Sequence, residues 1–251
     1  MSRLIALTRP VPSTIQDCEL THLDRNPIDL DRAREQHRQY EAALASLGCT
    51  IEHVAAADEM PDSVFIEDTA VVVDEVAVIT RPAAEARRGE TVDVANVLKR
   101  YREVRFIEPP ATLDGGDVLR IGKRVFVGVT PRSNSDGVKQ LRDALAPFGY
   151  SVEAVPVHDC LHLKSAVTQV GENTVLINRA WCDAFDEYER IDVHPDEPFA
   201  ANALRIGDAI VYPTQFPRTA ERLRNVRLVD AGELAKAEGG VTCCSVIFTA
   251  D

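Results

Sequence analysis

Apolar residues along this chain fall in short runs that come in pairs around tight polar turns. Residues 69–73 and 76–79 flank Asp74-Glu75, and residues 118–121 and 125–129 flank Gly122-Lys123-Arg124. Residues 165–170 and 174–177 flank Gly171-Glu172-Asn173, and residues 203–206 and 209–212 flank Gly207-Asp208. Runs of this length around Gly, Asp and Asn predict β-hairpins. The turns recur at roughly 35 to 50 residues, the spacing of a supersecondary repeat. Helical patterns follow the first, second and fourth hairpins, at 90–100, 136–146 and 217–224, with a weaker one at 180–185 after the third. Single strands at 105–107 and 151–155 end their units. A fifth unit is split between the termini, with residues 244–248 pairing with 4–7 and a long helix at 30–46 completing it. Five strand-strand-helix-strand units closed by pairing the two ends predict an α/β ring, one domain spanning residues 1–251.

The residues that precede the hairpins carry chemistry. Glu67-Asp68 comes before the first, Asp114-Gly115-Gly116-Asp117 before the second, His162 before the third, Asn202 before the fourth and Cys243 before the split fifth. In a ring of equivalent units, equivalent positions point at the axis, so these distant residues converge. The bland alternative is a scatter of polar residues at strand starts, which is common in any β-rich fold.

Composition narrows the ligand. The chain has 251 residues with 40 Asp plus Glu against 28 Lys plus Arg, a net charge of -12. A nucleic-acid binder carries the opposite balance, and an acidic surface favours cationic small molecules. No apolar stretch approaches the roughly 20 residues of a membrane span. The run at residues 4–7 is too short for a signal peptide. The six cysteines, Cys18, Cys49, Cys160, Cys182, Cys243 and Cys244, form no C-x-x-C pair or regular framework. Reduced thiols and a cytoplasmic location are the expectation.

Cys243 follows Gly239-Gly240-Val241-Thr242, which brings the chain tightly into a strand. Neighbours in a strand face opposite sides, so one of Cys243 and Cys244 faces a site and the other is core. The competing reading makes both small buried hydrophobes, the commoner fate of a free cysteine. The spacing of His158, Cys160 and His162 invites zinc, but the segment lacks H-E-x-x-H and a second ligand cluster. As a general acid/base, His162 needs an orienting carboxylate, and Asp114 supplies it on the ring argument. The alternative for Asp114-Gly115-Gly116-Asp117 is a plain turn. Asp62, Glu67 and Asp68 form a second acidic group, beside apolar Phe65-Ile66 and Val71-Val72-Val73. Carboxylates in such company are costly without a cation, and a guanidinium is a bidentate match. On this view Asp68 stays uncompensated until substrate arrives, so its removal should spare stability.

The ordered set of motifs resembles the dimethylarginine dimethylaminohydrolase family of the pentein superfamily. It comprises Pro61 to Asp68, Ile79-Thr80-Arg81-Pro82 with Arg87-Arg88-Gly89-Glu90, Leu113 to Val118, Leu161-His162-Leu163-Lys164-Ser165, Ala200-Ala201-Asn202 and Gly240 to Val246. The resemblance spans nearly the whole chain and implies a five-unit α/β propeller with a central active site. It implies Cys243 as nucleophile, His162 as acid/base and Asp114 as its orienting carboxylate. It further implies that Asp68 holds the guanidinium, helped by Glu67 and Asp62, and that Arg87 and Arg132 bind the α-carboxylate. Leu20 matches a lid position and Glu238 the loop before the nucleophile. There Ala237 and Glu238 depart from the family's larger apolar residue and Asp. The expected reaction hydrolyses Nω-methylated arginine to citrulline and an amine without metal or other cofactor. The expected partner is a small cationic molecule, not nucleic acid or membrane. A homodimer is compatible with the sequence but not specified by it.

Arginine and agmatine deiminases share fold and chemistry, but they are longer, and agmatine lacks the carboxylate that two arginines would bind. A ribosome anti-association factor has a similar propeller yet no need of the Cys, His and Asp set. A zinc hydrolase is the remaining enzymatic alternative.

Overall fold

The computed structural model describes residues 3–250. β1 (Arg3–Thr8) leads to α1 (Leu30–Ser46), and β2 (Cys49–His53) returns parallel to β1. β3 (Ala70–Val72) and β4 (Val76–Ile79) form a hairpin, and α2 (Thr91–Leu98) crosses to β5 (Glu103–Phe106). β6 (Val118–Ile121), β7 (Arg124–Val129), α3 (Ser135–Leu145) and β8 (Ser151–Pro156) repeat that unit. The next unit has α4 (Leu163–Ala166), β9 (Val167–Gln169), β10 (Thr174–Ile177) and β11 (Glu189–Asp192). The last has β12 (Leu204–Ile206), β13 (Ala209–Pro213), α5 (Pro217–Ala220) and β14 (Val226–Val229). After α6 (Gly232–Ala235), β15 (Val246–Ala250) pairs antiparallel with β1 and closes the ring.

The strands make five three-stranded sheets, each an antiparallel hairpin extended by one parallel strand. Residues from β3, β6, β9, β12 and β15, one strand of each sheet, line a single axial cavity of about 220 Å³. That common lining establishes the propeller. Helices pack outside, where their apolar stripes find the sheets. On α1 the buried residues Ala33, Gln36, His37, Tyr40, Ala43 and Leu44 recur at helical spacing. Asp29 caps its N-terminus by accepting from Arg32 N at 3.1 Å. No helix among the described residues is long and apolar enough to cross a membrane.

Several expectations are corrected. Residues 180–185 form no helix, because Asn178 accepts from Ala180 N at 3.0 Å in a turn and Phe185 takes φ 69°. Ser165 lies in the one-turn helix α4, before its strand. The pattern at 217–224 yields only the four residues of α5. Cys244 sits in a turn at 241–244, and β15 starts later, at Val246.

Candidate active site

Each catalytic candidate stands where a short turn delivers the chain to an axial strand. Asp114 precedes a 3-10 turn over Gly115–Asp117 that leads into β6. His162 precedes α4, and Cys243 lies within the turn before β15. The two glycines after Asp114 serve close approach. A Cβ on Gly116 would stand 2.5 Å from His162 Nδ1 and 2.8 Å from Asp68 Oδ1. On Gly115 it would stand 1.9 Å from the Glu67 carbonyl oxygen. The plain-turn reading of this motif therefore fails: any side chain would push apart the groups the turn assembles.

His162 is buried, with Nε2 at 3.3 Å from Asp114 Oδ2 and 4.0 Å from Asp68 Oδ1. Asp114 is itself fixed, its Oδ1 accepting from Ala83 N at 3.1 Å. Asp117, absent from the expected site, accepts from Thr130 Oγ1, Ser133 Oγ and Leu163 N at 2.6, 2.7 and 3.0 Å. It thereby anchors the residue next to His162, and its place in the Asp-Gly-Gly-Asp motif was the available signal. Burial opposes a charge on His162, but Asp68, Asp114 and Asp117 outweigh it and push the imidazole up from 6.5 to about 9.

Cys243 is half-buried and Cys244 buried, which is the expected division reached through a turn instead of strand alternation. Cys243 Sγ accepts from Gly240 N at 3.3 Å. Asn202 holds the same turn, accepting from Thr242 N at 3.0 Å and donating to Thr242 Oγ1 at 2.9 Å. Burial, then Glu67 and Asp68, push the Cys243 thiol from 9.0 to about 12, so it is neutral in the empty enzyme.

Asp68 does not stand unpaired as the sequence suggested. Arg87 Nη1 donates to its Oδ2 at 2.6 Å, and Gly116 N donates to Oδ1 at 2.8 Å. Burial works against its charge, yet His162 and Arg87 hold the carboxyl down at about 2. Arg87 in turn is buried and donates to Glu90 at 3.1 and 2.9 Å and to the Phe65 carbonyl at 3.1 Å. Its guanidinium is therefore a fixed part of the acidic cluster, not a free partner of Arg132 for a carboxylate. Glu90, at the i+3 position from Arg87, was not anticipated. Arg132 does fit an exchangeable role. Its guanidinium meets Thr21 Oγ1 at 2.9 Å and Glu19 Oε2 at 3.7 Å, both on the loop over the site.

Glu67 turns the other way. Its carboxylate pairs with Lys164 and accepts from Thr242 Oγ1 at 2.7 Å, and both partners border the axial cavity behind the site. Asp62 does face the cleft, accepting from Glu19 N at 3.2 Å. Glu238, at φ 58°, spends its carboxylate on backbone N–H groups of Thr21 and Leu23 at 3.0 and 2.7 Å, so it latches the lid loop. Leu20 packs its side chain against the core cluster under that loop and does not line the cleft.

Asp62, Asp68, Arg87, Arg132, His162, Ala237 and Cys243 thus line one small cleft of about 30 Å³, closed over by the loop. Five buried carboxyl groups, Asp62, Asp68, Glu90, Asp114 and Asp117, surround two buried cations, Arg87 and His162. Ligand atoms of Asp68, Asp114 and His162 lie within 4.8 Å of one another. His158 is exposed, however, and Cys160 donates to the His162 carbonyl at 3.4 Å. The zinc spacing read from the sequence does not converge.

A ring of five sheets with Cys, His and Asp at its axis, beside an acidic cleft, defines the guanidine-modifying class, the pentein superfamily. The arginine deiminase family model matches residues 22–238, stopping short of Cys243. A dimethylarginine dimethylaminohydrolase of Streptomyces coelicolor is 42% identical over 98% of this chain and 96% of its own. One from Pseudomonas aeruginosa is 31% identical over 99% of this chain and 100% of its own. The solved Pseudomonas aeruginosa structure with citrulline superposes with a TM-score of 0.94 at 30% identity, covering 99% of this chain and 100% of that one. The chain belongs to the dimethylarginine dimethylaminohydrolase family.

Proposed function

We propose that this enzyme hydrolyses Nω-methylated arginine to citrulline and methylamine or dimethylamine through a covalent intermediate on Cys243. The observation that carries the reading is the excess of buried carboxyl groups beside the half-buried Cys243 thiol. Such a site is electrostatically incomplete until a cation enters it. A guanidinium completes it and presents its central carbon to sulfur.

The chemistry follows from the charge states. Cys243 is neutral because burial and the carboxylates Glu67 and Asp68 oppose a thiolate. A guanidinium held by Asp68 offsets that repulsion, so thiolate forms as substrate binds and its proton leaves to water. The thiolate attacks the guanidinium carbon. His162, protonated at neutral pH because it titrates near 9, donates its proton to the substituted nitrogen, and the amine departs. The product is a thiouronium on Cys243. Neutral His162 then takes a proton from water, hydroxide adds to the same carbon, and the C–S bond breaks to release citrulline. Covalent catalysis divides one difficult displacement into two easier ones. Asp114 orients the imidazole, and Arg132 leaves Thr21 and Glu19 to meet the α-carboxylate. Every group in this scheme comes from one chain, so pairing of two copies is not needed for the chemistry.

The test is citrulline release from asymmetric dimethylarginine, compared with arginine and agmatine, in wild type and Cys243→Ser. Turnover of the methylated substrate above the other two, abolished in a folded Cys243→Ser enzyme, is expected. Preference for unsubstituted arginine would assign a deiminase instead.

A further inference from the structure

His162 and Cys243 line two adjoining cavities of very different kind. On one side is the charged cleft of about 30 Å³. On the other is a cavity of about 290 Å³, and the two share Leu161, His162, Glu238, Gly239 and Cys243 as lining. Beyond the shared lining the larger cavity is mostly apolar, with Leu23, Phe199, Phe216, Ala231, Ala235 and Val241. Its polar side chains are largely committed elsewhere. Asn202 serves the turn that carries Cys243, Glu238 holds the lid amides, and Gln215 donates to Asp230 at 3.2 Å while its Oε1 is left without a partner.

The reading of the site as an Nω-substituted-arginine hydrolase places the departing nitrogen within hydrogen-bond reach of His162. An alkyl group on that nitrogen has two ways to go. In the cleft it would press against Asp62, Asp68, Arg87 and Arg132 and strip water from charged groups without replacing it. On the side of the larger cavity, which His162 and Cys243 also line, it enters an apolar space where each buried methylene strengthens binding by about fourfold. At roughly 30 Å³ for a water-sized group, two methyl groups occupy a small part of that space. We propose that this apolar cavity receives the Nω-substituent and that the enzyme therefore hydrolyses arginines carrying Nω-alkyl or Nω-aralkyl groups well beyond methyl. The inference rests on the proposed function. The reaction is balanced as before: the C–N bond to the substituted nitrogen breaks, a C–O bond forms from water, and His162 supplies the proton that leaves with the larger amine. Phe199 sits at the rim, half exposed and edge-on to Trp181 at 5.0 Å between ring centres, where it can pack against an aromatic substituent.

The experiment measures amine and citrulline release from Nω-methyl-, Nω-propyl- and Nω-benzyl-L-arginine on the wild-type enzyme. The propyl and benzyl substrates are expected within about tenfold of methyl in kcat/KM, since a pocket that already has room imposes no steric loss. A site closed beyond methyl loses about 10- to 200-fold per methylene. Methyl turnover with a propyl rate lowered more than a hundredfold, roughly the loss of such a closed site, overturns the proposal and leaves the proposed function standing. No turnover of any of the three sinks both. Filling the cavity with Ala235→Phe should lower the propyl-to-methyl ratio of kcat/KM at least tenfold, roughly the lower bound for a steric exclusion. An unchanged ratio in a folded variant refutes the placement. Should that variant misfold, Phe199→Ala at the exposed rim provides a second reading. It should lower the benzyl-to-methyl ratio by about fivefold, the scale of one aromatic contact, and an unchanged ratio there also counts against the cavity.

Discussion

Glu67 and Asp68 are neighbours in the chain and opposites in the fold. Asp68 faces the cleft, where Arg87, the Gly116 amide and His162 surround it and its carboxyl is held near 2. Glu67 faces the axial cavity behind, where Lys164 and Thr242 meet it and burial raises its carboxyl in spite of them. Two adjacent carboxylates therefore act on the Cys243 thiol from two sides. Both raise the Cys243 thiol, but only Asp68 also charges His162. What distinguishes them is the company each keeps, since their chemistry is the same.

The largest effect that tests this division is expected at Asp68. Breaking a buried ion pair costs about 3–5 kcal/mol, or roughly 10²- to 10³-fold and more in binding. Asp68→Asn should lower kcat/KM by about that factor. The sequence-based expectation that stability is spared reverses, because Arg87 loses one of its two carboxylate partners. With Glu90 retained, a loss near 3 kcal/mol corresponds to a melting temperature lower by roughly 6–12 °C in a domain of this size. A normal melting temperature with crippled turnover would restore the idea of an unpaired Asp68.

Glu67→Gln comes next. Glutamine offers one acceptor oxygen where Glu67 offers two, so either Lys164 or Thr242 loses its acceptor, and stability should fall by about 1–3 kcal/mol and kcat/KM by less than roughly tenfold. A catalytic loss equal to that of Asp68→Asn would erase the distinction between the two sides.

The pH profile sharpens it further. With the thiol near 12 and His162 near 9, the reactive thiolate–imidazolium pair is constant in population between those values and declines tenfold per unit below about 9. The kcat/KM profile should therefore rise from neutral pH towards about 9. Removing the Asp68 charge should shift the break near 9 to lower pH, and Glu67→Gln should leave that break in place while raising the limb below it. The stability linkage has the matching sign. His162 is raised above 6.5, so its contribution is present below that pH and is lost as pH rises through about 9. Asp68 is depressed below 3.8, so its contribution is present above that pH and is lost as pH falls through about 2. Melting curves of wild type and Asp68→Asn should differ most between those limits.

The smallest effect is expected at Cys244. Its buried thiol donates to the Gly240 carbonyl at 3.6 Å and faces the core. Cys244→Ser should keep kcat/KM within about threefold while costing about 1–2 kcal/mol of stability, an ordinary core penalty. Loss of activity in this folded variant would misassign the nucleophile.

Much of this molecule could be read from the chain alone, and the reasons are local. The helix at Leu30–Ser46 keeps its expected limits because Asp29 caps one end and Gly48, at φ 93°, ends the other. The hairpins hold because runs of apolar residues around Gly and Asp turns have few other ways to bury themselves. Cys243, His162 and Asp114 were placed together by the repeat, since equivalent strand starts in a ring face one axis. What the sequence could not specify were directions and partners. Residues 180–185 look helical until Phe185 takes a left-handed conformation. Arg87 reads as a substrate clamp until Glu90 and Asp68 enclose it, and Glu238 as a substrate contact until the lid amides claim it. Pattern and propensity act over a few neighbouring residues and so survive in the sequence. Which carboxylate meets which cation depends on groups brought together across the ring, as Arg87 meets Asp68 and Lys164 meets Glu67, and only the folded chain decides that.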